Sequence, residues 1–167
     1  KLLLLARRLC EAGCGFVTVT TNFVWDMHAD VNNATIEEGM EYMGRPLDHA
    51  LSAFVEDLAD RGLTDKIMLV ATGEMGRTPK ENSRGGRDHW GGIAPLFLHG
   101  GGLRMGQVIG QSTRDAGAPA TKPQNNANLI ATIMRTLIDV GELLTETGVP
   151  QDIARIITGS DPIPGLL

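Results

Sequence analysis

Apolar positions along this chain change period several times, and each change marks an element. Leu2, Leu5 and Leu9 recur at helical spacing and predict a helix to about Ala12, with Gly13 or Gly15 ending it. Phe16-Val17-Thr18-Val19-Thr20 is β-branched and aromatic and predicts a strand. Pro46 stands where a helix accepts its first residue, and Leu47, Ala50, Leu51, Phe54, Val55 and Leu58 follow along one helical face up to Gly62. Ile67-Met68-Leu69-Val70-Ala71 is a short apolar run of the kind a buried strand shows. Strand, helix and strand with short links predict a βαβ unit with a right-handed crossover.

Further along, Ala94 to Leu98 predicts a short strand, with Pro95 suited to its start or to an edge. Gln107 to Gly110 is a candidate strand. Asn125 or Asn126 caps a predicted helix carrying Leu129, Ile130, Ile133, Met134, Leu137 and Ile138, which Gly141 should end. Residues 29–44 predict a loop with a short helical turn, residues 111–124 a loop, and the tail through Pro162, Pro164 and Gly165 an extended segment. No repeat or linker divides the chain, so its 167 residues predict one domain with a real core.

The net charge of −5 and a pI near 5.3 argue against nucleic acid as a partner. Cys10 and Cys14 match no zinc or redox spacing and read as small thiols. No run is long enough to span a membrane. The opening Lys1 to Arg8 imitates a signal peptide, but its apolar run is too short and meets arginines. A helix already under way at the first residue leads to the expectation that an N-terminal part precedes this chain.

Candidate chemistry gathers after the two predicted strands. Asp26 and His28 follow the first; Glu74 follows the second within Thr72-Gly73-Glu74-Met75-Gly76-Arg77-Thr78-Pro79, and His89 closes the loop beyond. Open α/β sheets keep ligands at the carboxyl ends of their strands. Carboxylate and imidazole donors without thiolates suit zinc, manganese or iron in a site that is not purely structural. A hydrogen-bonded cluster that ties loops together would use the same residues. Arg77, Lys80, Arg84 and Arg87 crowd this stretch of an acidic chain, and guanidinium forks match phosphate or sulfate oxygens. Thr78 is a nucleophile by residue type only, and Arg77 could equally pair with Glu74. His49 lies on the polar face of its helix and reads as solvated. His99-Gly100-Gly101-Gly102 is similar to a lipase oxyanion loop, but no Gly-x-Ser-x-Gly elbow accompanies it, so it reads as a turn.

Trp25-Asp26-Met27-His28, Gly73 to Pro79, Gly86-Arg87-Asp88-His89-Trp90 and Gly100 to Gly110 occur in an order that resembles the C-terminal part of a "domain of unknown function" family. Its members are sulfatase-like proteins of the alkaline phosphatase superfamily, abundant in planctomycetes and often exported. The resemblance implies a three-layer α/β fold with a mostly parallel sheet and helices on both faces, of which residues 1–167 would be the C-terminal half. It implies a divalent metal, zinc with manganese or calcium as alternatives, held by Asp26, His28, Glu74 and His89. Arg77 and Arg87 would bind the anionic group of a small-molecule or glycan ester. Met75 stands where the superfamily has a His, which puts a second metal in doubt, and the superfamily's nucleophile lies in the N-terminal half. The expected function is hydrolysis of phosphate or sulfate esters by an exported or periplasmic protein. The alternative is a degenerate, non-catalytic binding or scaffold protein of the same fold.

Overall fold

The computed structural model describes residues 1–21 and 25–167. Asn22, Phe23 and Val24, the start of the loop expected after the Phe16 strand, lie outside the described residues.

Helix α1 (Leu2–Glu11) forms as its periodicity predicts, but it turns a different face inward. Ala6 and Arg7 are its buried residues, while Leu2, Leu5 and Leu9 of the leucine stripe stay exposed. The cause is Arg7, which needs anionic partners once it leaves water. It finds them in Glu11 on its own helix and in Asp57, whose Oδ2 lies 2.6 Å from Arg7 Nε. Phe16 to Thr20 forms no strand; no ladder partner lies beside it among the described residues, and Phe16 is 76 % exposed. Strand propensity without a neighbouring strand builds nothing, so the first arm of the expected βαβ unit is not formed.

Residues 29–44 hold more helix than a loop with one turn. Thr35 caps α2 (Ile36–Gly39) in a capping box with Glu38. A π-helical turn (Met40–Gly44) continues it into α3 (Arg45–Asp60), which has Pro46 in its first turn. The predicted apolar face of α3 is the inward one, with Phe54 and Leu58 buried, and His49 is exposed as expected.

Strand β1 (Met68–Thr72) pairs antiparallel with β4 (Leu96–Gly100), Met68 facing Gly100 and Thr72 facing Leu96. Between them, β2 (Gly76–Arg77) and β3 (His89–Trp90) form a second antiparallel pair. Both strand pairs among the described residues are therefore antiparallel. Gly100, Gly101 and Gly102 all have positive φ and make the tight turn expected of them. A Cβ on Gly100 would stand 2.4 Å from the Ile67 carbonyl oxygen, so only glycine allows that approach. Gln107 to Gly110 is not a strand.

Asn125 caps α4 (Asn126–Leu137), accepting from the Ala127 and Asn128 N–H groups. The helix stops before Gly141 because Ile138 is extended and Asp139 starts a new cap, accepting from the N–H groups of Gly141 and Glu142 at the head of α5 (Val140–Thr145). Helix α6 (Gln151–Thr158) follows, and the segment after it is irregular. That tail is structural: Ile163 and Leu166 form a buried cluster with Leu103, packed by Met68, Leu98, Met105 and Leu129. Thr132, fully buried, donates to the Asn128 carbonyl and accepts from the Ile163 N–H, both at 2.8 Å, and so ties the tail to α4. Among the described residues no helix is long and apolar enough to cross a membrane.

Candidate metal centre

Two loops build the site. One is residues 25–29; the other runs between β2 and β3. Their backbones meet at Gly86, where a Cβ would lie 2.3 Å from the His28 carbonyl carbon and oxygen. The Arg87 N–H donates to the Met27 carbonyl at 2.8 Å, and Arg84 Nε donates to the Ala29 carbonyl at 3.1 Å. Asn82 works in both directions. Its Oδ1 accepts from the Arg84 and Gly86 N–H groups, shaping its own loop, while its Nδ2 donates to the His28 carbonyl at 3.0 Å and to Asp88 Oδ1 at 3.2 Å. Helix α2 supports the first loop from behind, through Gly39 against the Met27 side chain.

This docking brings Asp26, His28 and His89 together, with one potential ligand atom from each within 4.8 Å of the others. Asp26 Oδ1 is the centre, 2.9 Å from His28 Nε2, 3.1 Å from His89 Nε2 and 2.7 Å from Arg77 Nη1. The two imidazole rings stand 4.7 Å apart at 53°. Register explains the neighbours, since Arg77 on β2 faces His89 on β3. Burial favours the neutral acid of Asp26, but hydrogen bonds from Arg77 and His89 and the charges of Arg77 and His28 outweigh it and hold the carboxyl below the usual range.

The tautomer of His28 follows from its partners. Nδ1 lies 3.0 Å from Asp88 Oδ1, and an ionised carboxylate only accepts, so Nδ1 carries the proton. Nε2 faces the cluster, with Asp26 Oδ1 at 2.9 Å and Arg77 Nη1 at 3.3 Å; it donates to the first when protonated and accepts from the second when its lone pair is free. Hydrogen bonds from His28 first, and then from Asn82, lower the Asp88 carboxyl and keep it ionised for this role. A carboxylate behind the outer nitrogen of a histidine is the usual support of a metal-binding imidazole.

The two donor–donor edges through Asp26 suit a small divalent ion. Tetrahedral bonds of about 2.0–2.1 Å separate neighbouring donors by roughly 3.3 Å. The Asp26 oxygen lies 2.9 and 3.1 Å from the two imidazole nitrogens, close to that edge. Two nitrogens and one oxygen suit zinc better than calcium, which takes oxygen alone.

Three of the four ligands expected from sequence thus meet. Glu74, exposed on the turn after β1, stands outside the group. Arg77 is at the cluster and also donates through Nη2 to the Trp25 carbonyl at 2.9 Å. Arg87 instead donates to the Thr78 carbonyl at 3.1 Å and holds the loop closed. Thr78 serves the same loop, its hydroxyl donating to the Lys80 carbonyl and accepting from the Asp88 N–H. Sequence reasoning missed the parts played by Asn82 and Asp88. The adjacency of Asp88 to His89 was the only signal, and it points at the wrong histidine.

Over residues 1–163 the chain matches the model of the family described as "Protein of unknown function (DUF1501)", and it belongs to that family. No curated protein and no solved structure matches it.

Proposed function

We propose that the protein is a metal-dependent hydrolase of phosphate or sulfate esters, with Asp26, His28 and His89 holding one divalent metal, zinc first and manganese or calcium as alternatives. The observation that carries this reading is His28, its Nδ1 held by Asp88 and its Nε2 turned to the same centre as Asp26 Oδ1 and His89 Nε2. The likeness of the motifs to sulfatase-like proteins of the alkaline phosphatase superfamily supports it. The three-layer, mostly parallel α/β fold belongs to the same proposal, with antiparallel β1 and β4 at an edge of that sheet.

The metal would polarise the ester oxygen or activate the attacking group. Asp88 and Asn82 keep His28 in one tautomer and orientation. Arg77 offers a guanidinium to the anionic group, and Arg84, Arg87 and Lys80 add positive charge around it. The nucleophile is left to water or to a hydroxyl from another part of the protein.

The test is hydrolysis of a panel of aryl phosphates and sulfates by the full-length protein, stripped with chelator and reloaded with Zn²⁺, Mn²⁺ or Ca²⁺. Metal-dependent turnover lost in Asp26→Ala is expected. A folded, metal-loaded protein inert across the panel would leave the second reading, a non-catalytic binding or scaffold protein. One observation favours that rival: Arg77 already neutralises Asp26, so the cluster is also a stable clamp between two loops.

A further inference from the structure

Arg77 has two anionic or basic atoms at one of its nitrogens. Nη1 lies 2.7 Å from Asp26 Oδ1 and 3.3 Å from His28 Nε2, the atoms that face the proposed metal. An imidazole nitrogen of the pyridine type has a single lone pair. That pair can accept an Arg77 N–H or bind a metal, never both. Asp26 Oδ1 also lies 2.9 Å from His28 Nε2, so a proton on that nitrogen would have to leave together with Arg77 before a metal binds there.

We infer that Arg77 is a built-in counter-cation that a divalent metal must displace from His28 Nε2 and Asp26 before the site is loaded. This rests on the metal-site reading above and deepens it, because the same movement frees the guanidinium fork. In the metal-free site Arg77 pairs with Asp26; in the loaded site it is released toward an incoming oxyanion. Metal occupancy and anion binding are thereby coupled through one side chain. The second donor nitrogen, Nη2 on the Trp25 carbonyl at 2.9 Å, gives the displaced side chain a fixed point to pivot on. Arg77 acts here as a positioning residue for the cluster.

The experiment is calorimetric titration of the full-length protein with Zn²⁺ alone, comparing the parent with Arg77→Met and Arg77→Lys at low salt and at high salt, with circular dichroism to establish folding. Loss of a charge-assisted hydrogen bond that the metal would otherwise break predicts roughly tenfold tighter Zn²⁺ binding in Arg77→Met. The gain should persist at high salt, where repulsion between separated charges is screened but a contact is not. Arg77→Lys, still cationic, should gain less. A merely structural role would weaken binding instead. Equal or weaker affinity in folded Arg77→Met, or a gain that vanishes in salt, would overturn the displacement while leaving the metal site standing. Zn²⁺ binding to neither parent nor variant would overturn both.

Discussion

His28 Nδ1 and Asp88 Oδ1 lie 3.0 Å apart although the residues are 60 positions apart in the chain. Asp88 therefore decides which nitrogen of His28 faces the cluster, and Asn82 fixes Asp88 in turn. If the cluster binds metal, Asp88→Asn should weaken Zn²⁺ binding about 10–100-fold, the usual cost of losing such a partner. Titration of folded variant and parent checks it; an unchanged affinity would mean that the Asp88 contact only ties loops together.

The two loops depend on a backbone contact that admits no side chain at Gly86. Gly86→Ala places a methyl 2.3 Å from the His28 carbonyl, and backbone cannot yield as a flexible side chain can. It should destabilise the protein by about 1–3 kcal/mol. Gly91→Ala, which meets nothing within 4 Å, should stay within about 0.5 kcal/mol of the parent. Urea denaturation of both variants reads the difference.

Away from the site, Thr132 holds the tail against α4. Thr132→Val keeps the volume but leaves the buried Ile163 N–H without its acceptor. A loss of about 1–3 kcal/mol is expected. Serine at the same position keeps the hydroxyl and should cost less through the hydrogen bond and more through lost packing. Denaturation midpoints, with proteolysis of the tail as a second readout, test this.

The contact between α1 and α3 should be sensitive to acid. The hydrogen bond from Arg61, foremost, and the charges of Arg61 and Arg7 hold the Asp57 carboxyl below its ordinary value against the opposing effect of burial. A lowered folded-state pKa means that the unfolded chain takes up the proton first. The contribution is thus complete above the unfolded value of about 3.9 and is lost as pH falls through the folded one. Asp57→Asn should remove that part of the pH dependence, seen as a flatter stability profile below pH ~4.

What the sequence disclosed and what it withheld divide along physical lines. Elements stabilised by local chemistry were legible: α3 from its apolar face, α4 from Asn125, the glycine turn at 100–102. The triad of Asp26, His28 and His89 was legible as residue types after predicted strands. Partners set by distant contacts were not. Nothing near Asn82 announces that its amide reaches the His28 carbonyl, and nothing in the leucine stripe of α1 announces that Arg7 will turn that helix toward Asp57. Helix α6 has Ile153, Ile156 and Ile157 at helical spacing, but Pro162 and Pro164 just beyond it read as extended chain. The strand read at Phe16 to Thr20 relied on propensity alone, and propensity does not supply a neighbour.

The proposed site holds one divalent ion between Asp26, His28 and His89. Metal content by plasma mass spectrometry, after equilibration with Zn²⁺ and desalting, tests it most directly on the full-length protein beside folded Asp26→Ala, His28→Ala and His89→Ala. Near-stoichiometric metal in the parent and its loss in each variant are expected. A folded parent that retains no metal, or variants that retain as much as the parent, would contradict it.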